Sequence, residues 1–203
     1  MIRCLLCDLG NVLVHFSHER MCRQIAEVCG DNPEAIFRWL FESGLQLELE
    51  CGRITVADVH VELQKAVRRP VDFDDLVRAG SDIFTLNEPM VDVLDALKQA
   101  GCRLVLLSNT SVPHIEWVRD RWDVLERFDE CVLSCETGAV KPEPAIYRAA
   151  IERIECDPSE CLYVDDIVEY VEAGRGYGLD GIVFTDTESL IGQLADRGIA
   201  IDS

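Results

Sequence analysis

Five short apolar runs limit how this chain can fold: Ile2–Cys7, Arg103–Leu107, Glu130–Leu133, Cys161–Val164 and Gly181–Phe184. Each is strand-length and almost continuously apolar, so both faces of the strand it forms must be covered. The stretches between the later runs carry helical punctuation. Asn87-Glu88-Pro89 opens a helix that runs to Ala100, with Gly101 just past its end, and Pro144 opens another that runs to about Glu155. Val168–Tyr177 and Glu188–Arg197 read as two more helices, and Asp157-Pro158-Ser159 as the turn into the fourth strand. Strands that alternate with helices in this way predict an α/β fold, a parallel five-stranded sheet with helices on both faces.

The alternation breaks once. From Phe16 to about Leu86 only helical spacing is present. Asn32-Pro33 starts a helix that Gly44 ends, Thr55-Val56-Ala57-Asp58 has the form of a capping box, and Asp72-Phe73-Asp74-Asp75 starts a third helix. The stretch reads as a helical insertion after the first strand. Residues 1–15 and 87–203 would then form the core, and 16–86 a small second domain.

Charge narrows the set of partners. Lys plus Arg total 19 and Asp plus Glu total 38, a formal net charge of −19. That field repels nucleic-acid phosphates and anionic headgroups, so neither nucleic acid nor a membrane surface is expected as a partner. An anionic ligand meets the same repulsion and needs local cations or a metal. No apolar run reaches the roughly 18 residues of a membrane span. The 10 cysteines include no second Cys-x-x-Cys to match Cys4-x-x-Cys7, and the opening stretch contains Arg3 and Asp8 rather than a secretory pattern. Reduced thiols in a cytoplasmic protein are expected.

Ligands of open parallel sheets bind outside the carboxyl ends of the strands. The first strand ends at Asp8-Leu9-Gly10-Asn11-Val12 and the second at Ser108-Asn109-Thr110. Gly138-Ala139-Val140-Lys141-Pro142 follows the third, and the fourth ends at Asp165-Asp166. Carboxylates, a hydroxyl and an ammonium therefore converge on one edge. Three carboxylates near one point repel each other unless a hard cation joins them, and Mg²⁺ suits that task because it takes carboxylate, carbonyl and phosphate oxygens. Lys141 and Ser108 could hold a transferring phosphoryl group, and Asp8 could attack it to form an aspartyl-phosphate.

The same segments carry a family resemblance. Asp8-Leu9-Gly10-Asn11-Val12-Leu13, Leu107-Ser108-Asn109-Thr110, Lys141-Pro142-Glu143-Pro144-Ala145-Ile146-Tyr147 and Tyr163-Val164-Asp165-Asp166 resemble the four ordered motifs of the haloacid dehalogenase-like (HAD) hydrolase superfamily. Within it the chain is most similar to phosphatases of the alpha-glucose-1-phosphatase type and to the N-terminal phosphatase domain of soluble epoxide hydrolase. Glu50-Cys51-Gly52-Arg53-Ile54-Thr55 resembles a cap segment of that group. The resemblance implies a Rossmann-like core with an α-helical cap, Mg²⁺ as cofactor, and a small phosphorylated metabolite, such as a sugar phosphate, as substrate. It implies that Asp8 is the nucleophile, that Ser108 and Lys141 are catalytic and bind the phosphoryl group, and that Asp8, the Gly10 carbonyl, Asp166 and Asp165 serve the metal. Asn11, Asn109 and His15 are further candidate phosphate or substrate contacts.

Two positions depart from the pattern. Most phosphatases of the superfamily place a second Asp two residues after the nucleophile, where it protonates the leaving oxygen; here that residue is Gly10. Tyr170 stands where many relatives have Asp or Asn helping to hold the lysine. Gly10 keeps open a 2-haloacid dehalogenase, whose chemistry needs neither metal nor leaving-group acid. Both departures keep open a phosphate-binding relative with impaired turnover. Glu48 and Glu50 read as a solvated helix face, with Glu50 a candidate for meeting a sugar hydroxyl.

Overall fold

The structure, a computed structural model, describes residues 2–199 and Ile201. In chain order it contains β1 (Cys4–Cys7), β2 (Val14–Phe16), α1 (His18–Cys29), α2 (Pro33–Phe37), α3 (Leu45–Glu50), α4 (Val56–Val67), α5 (Phe73–Ser81) and β3 (Phe84–Leu86). It continues through α6 (Glu88–Gln99), β4 (Arg103–Ser108), α7 (Val112–Arg121), β5 (Glu130–Leu133), α8 (Ser134–Thr137) and α9 (Pro144–Ile154). The last elements are β6 (Cys161–Asp165), α10 (Val168–Arg175), β7 (Asp180–Val183) and α11 (Thr187–Asp196).

The expected parallel five-stranded sheet is present, in the order β5-β4-β1-β6-β7. Central β1 is bonded on both edges, with Cys7 opposite Leu106 on one side and Val164 on the other. The order reverses direction at β1, which is where an open α/β sheet forms a crevice at its carboxyl edge. Alternate residues of β1 feed two cores. Leu5 and Cys7 pack with Met90 and Leu94 of α6, Val118 of α7 and Leu194 of α11. Cys4 and Leu6 pack with Ile146, Tyr147 and Ala150 of α9 on the opposite face. Burying one such leucine contributes roughly 1.5–3 kcal/mol, so the buried runs outweigh the poor solubility they would have as exposed strands.

The insertion has its own apolar cluster, formed by Met21 and Ile25 of α1, Ile36, Leu40, Leu63 of α4 and Leu76 of α5. Its helices start where the sequence signals place them. Asn32 accepts from Ala35 N, Thr55 and Asp58 form the reciprocal capping box, and Asp72 accepts from Asp75 N. The helix expected from Asn32 to Gly44 is not uniform, because α2 passes at Arg38 into a wider turn that runs to Glu42. The Ser43 hydroxyl bonds the Trp39 carbonyl, and the Ser43 N–H reaches instead to Arg38 O at 3.2 Å. A serine hydroxyl that takes over a helical carbonyl loosens the turn in this way.

The strands β2 and β3 and the helices α7 and α8 were not among the expectations. β2 and β3 form an antiparallel ribbon, with Val14 opposite Leu86, His15 opposite Thr85 and Phe16 opposite Phe84, where helical spacing alone was expected. Three-residue strands are too short to show their alternation. Helix α7 carries Pro113 in its first turn, a position that tolerates proline. All ten cysteines are free thiols. Among the described residues no helix is long and apolar enough to cross a membrane.

Candidate active site

Strand register sets the geometry of the site. Asp8 is the first residue past β1, Ser108 the last of β4 and Asp165 the last of β6, so neighbouring strands deliver them side by side. Lys141 enters from the loop before α9 and is only 2% exposed. Its Nζ lies 2.7 Å from Asp8 Oδ1 and 2.6 Å from Asp165 Oδ2, and it donates to Leu107 O at 3.1 Å. All three ammonium protons are thereby used. Asp165 is equally committed, since its Oδ2 accepts the Tyr163 hydroxyl at 2.7 Å and its Oδ1 accepts from Ile167 N at 2.9 Å.

Asn109 fixes the lysine backbone. Its Oδ1 accepts from Lys141 N at 2.7 Å, and its Nδ2 donates to Lys141 O at 3.1 Å. The Tyr170 ring centroid lies 5.3 Å from Lys141 Nζ, within cation–π reach. Where many relatives hold the lysine with a carboxylate or amide, this chain presents an aromatic face.

Asp8, Asp165 and Asp166 each offer an oxygen, all within 4.8 Å of one another. Lys141 is the one cation paired within this group among the described residues, leaving two negative charges uncompensated. That donor set and charge suit a hard divalent cation. Asn11 holds the outer member of the set, its Nδ2 donating to Asp166 Oδ2 at 3.0 Å. Asn11 has φ 54°, a left-handed conformation that asparagine tolerates better than most residues. Burial pushes the Asp8 carboxyl up to about 7, with Asp165 adding to the shift and Lys141 opposing it. Burial alone would pull Lys141 down, but Asp8 and Asp165 outweigh it and hold the ammonium above its ordinary value.

The cluster opens into a cleft of about 570 Å³ lined by Asp8, Gly10, Asn11, Asn109, Lys141, Asp166 and Tyr170 from the core and by Phe16, His18 and Glu50 from the insertion. A second lobe of about 360 Å³ shares Gly10, Phe16, His18, Glu50 and Asn109 and adds Ser108, Thr110 and His114. The structure thus gathers Asp8, Gly10, Asn11, Ser108, Asn109, Lys141, Asp165 and Asp166 at one crevice. His15 is set apart. It is exposed, the middle residue of β2, and it lines neither lobe.

The next residue along the strand, Phe16, faces Gly10 so closely that a Cβ there would lie 2.8 Å from Phe16 Cε1. His18, which no sequence signal singled out, packs between Phe16 and Phe41 at centroid distances of 4.9 and 4.7 Å, and burial pulls its pKa down. Reading Val14-His15-Phe16 as a strand would have turned His15 away from the cleft and Phe16 toward it. Glu50 is drawn into the cleft rather than left on a solvated face. Burial raises its pKa, and Gln46 Nε2 donates to its Oε1 at 2.8 Å.

Known proteins share this fold. A family model for haloacid dehalogenase-like hydrolases matches residues 2–178. A HAD family enzyme from Bacteroides thetaiotaomicron, solved in complex with magnesium and inorganic phosphate, superposes with a TM-score of 0.83 at 25% identity, covering 92% of this chain and 96% of that one. D-ribitol-5-phosphate phosphatase of Bacteroides thetaiotaomicron is 23% identical over 188 residues, 89% of this chain and 90% of its own length. Bifunctional epoxide hydrolase 2 of Rattus norvegicus is 28% identical over 120 residues, 54% of this chain but 21% of its own length, so the match spans about a fifth of that relative.

Proposed function

The chain belongs to the haloacid dehalogenase-like hydrolases, and from that premise we propose that it is a magnesium-dependent phosphatase of a small phosphorylated metabolite. The observation that carries this reading is the buried Asp8–Lys141–Asp165 group with Asp166 beside it, where three carboxylates meet one ammonium at a strand-end crevice. Bound magnesium would screen the carboxylates from an anionic phosphate and polarise the phosphoryl group.

The chain's own residues have separate tasks in this proposal. Asp8 attacks phosphorus and carries the phosphoryl group as an aspartyl-phosphate, which water then hydrolyses. Lys141 brings its positive charge to the transferring oxygens, and Ser108 offers them a donor. Asp8, Asp166 and the Gly10 carbonyl hold the metal, with Asn11 orienting Asp166. Asp165 has both oxygens engaged by Lys141, Tyr163 and Ile167, so it is best placed to orient Lys141. Phe16, His18 and Glu50 close the side opposite the cluster and would exclude water from the bound ester.

The dehalogenase alternative fits less well. Without a metal, the two uncompensated charges at the crevice would repel an anionic haloacid. The D-ribitol-5-phosphate phosphatase relative makes sugar and polyol phosphates the first esters to try. The test is steady-state hydrolysis of a phosphate-ester panel with Mg²⁺ by the wild type and by Asp8→Asn. A loss of at least about 10³-fold in the variant is expected for a missing nucleophile. Equal rates in both proteins would sink the proposal, and metal-independent halide release from 2-chloropropionate would replace it with the dehalogenase.

A further inference from the structure

A phosphatase that cleaves an alkyl ester must give the leaving oxygen a proton, and the residue two past Asp8 cannot do so. Gly10 has no side chain, and the Phe16 ring fills the space where one would project. The cap wall of the cleft offers two titratable groups in its place, His18 and Glu50. We propose that Glu50 is the general acid that protonates the leaving oxygen and, once ionised, the base that activates the hydrolytic water. The inference rests on the phosphatase reading above.

Position is the first support. Glu50 lines both lobes of the cleft, the one that contains Asp8, Lys141 and Asp166 and the one that contains Ser108. Anchoring is the second. The Ser134 hydroxyl accepts from Thr110 N at 2.9 Å and donates to Glu50 O at 2.6 Å, tying the end of α3 to the loop after β4. Two residues on, Gly52 has φ 64° and passes so near the core that a Cβ would lie 2.1 Å from Cys135 O. Glu50 thus belongs to the cap in sequence but has its backbone seated on the core beside the site.

The surroundings of its carboxyl are the third support. Asp8, Asp166, Lys141 and Tyr170 face the same cleft from the core, and His18 faces it from α1. Lys141 is spent on Asp8 and Asp165, and Arg53 pairs with Glu48 at 2.9 Å. Among the described residues no lysine or arginine pairs with Glu50. Burial without a cation favours its neutral form, and burial likewise favours the neutral form of His18. The Gln46 amide opposes the shift at Glu50 without cancelling it, so of the two groups Glu50 is the one that burial moves toward a form able to give a proton.

The step balances. Asp8 Oδ forms a bond to phosphorus as the bond from phosphorus to the ester oxygen breaks, and that oxygen takes the Glu50 proton and leaves as an alcohol. Glu50, now a carboxylate, removes a proton from the attacking water. The Asp8–phosphorus bond then breaks, returning free Asp8, inorganic phosphate and a protonated Glu50.

The test compares two leaving groups. In Glu50→Gln, which is nearly isosteric, kcat/KM for glycerol 3-phosphate should fall by at least about 100-fold, the lower end of the range for a general acid. For p-nitrophenyl phosphate, whose leaving group departs without a proton, the fall should be under about 5-fold, and that activity also shows that the variant is folded. His18→Gln should show no such split. An equal loss on both esters, no loss on the alkyl ester, or the split appearing in His18→Gln instead would overturn the assignment while leaving the phosphatase reading intact. A wild type that hydrolyses neither ester with Mg²⁺ would overturn both.

Discussion

On the core side of the cleft every charged group is held by a partner from an adjacent strand or loop. Asp8 and Asp165 share Lys141, Asn109 clamps the lysine backbone, and Asn11 steadies Asp166. The cap side is built differently. Phe16, His18 and Glu50 stand at the ends of β2, α1 and α3, and the cap reaches the core through the β2–β3 ribbon and a few polar contacts, Ser134 to Glu50 and His114 to Gly80 among them. Hydrogen-bonded parallel strands set the core groups to within a register step, whereas packing and a handful of contacts set the cap groups. In the proposed mechanism the nucleophile, the lysine and the metal-holding carboxylates would come from the rigid half, and the general acid and the substrate-facing wall from the adjustable half.

The comparison breaks most visibly at Lys141. Lys141→Met should abolish turnover and leave Asp8 and Asp165 buried with no cation, costing the metal-free protein about 3–5 kcal/mol in urea unfolding. If stability were unchanged, the core side would not be the rigid, interdependent unit described.

A smaller effect is expected where the halves touch. The His114 Nε2–H donates to Gly80 O at 3.1 Å, joining α7 of the core to α5 of the cap, and burial pushes His114 down to about 4 from an ordinary 6.5. A lowered histidine pKa means that the unfolded chain binds a proton the folded chain refuses. The stability this contributes is complete above about pH 6.5 and is lost as pH falls toward about 4. Thermal melts should show that loss, up to about 3 kcal/mol. His114→Gln, which can still donate to Gly80 but does not titrate, should flatten it, and an unchanged profile would assign the acid sensitivity elsewhere.

The smallest effect concerns the Gly10–Phe16 contact. Gly10→Asp should be overpacked against the Phe16 ring and lose about 1–3 kcal/mol. Combined with Phe16→Ala, it should be less destabilised than the two single changes summed, as expected for residues in contact. Strict additivity in urea unfolding would show that the ring moves aside freely.

These differences also explain what could be read from the chain beforehand. The five strands announced themselves because a doubly covered sheet requires continuous apolar runs, and the four ordered motifs located the core groups at strand ends. Strand order stayed hidden, since nothing in an apolar run names its neighbour. β2 and β3 were invisible because three residues cannot display a period of two, and without β2 the side of the strand that His15 occupies could not be told. The positions of His18 and Glu50 depend on how α1 and α3 pack over the core, which no local pattern encodes. Asn109 and Asn11 were legible as site residues, but their hydrogen bonds to Lys141 and Asp166 appear only when distant loops meet.

The ribbon has a further consequence. Val14 and Leu86 are direct neighbours across β2 and β3, so the chain leaves the core and returns to it at almost the same point. To the sheet, everything between is one enlarged hairpin turn, and loop-closure entropy grows only slowly with the length of such a turn. Residues can be added to, removed from or exchanged within that turn without shifting a single hydrogen bond in the register that places Asp8 beside Ser108 and Asp165.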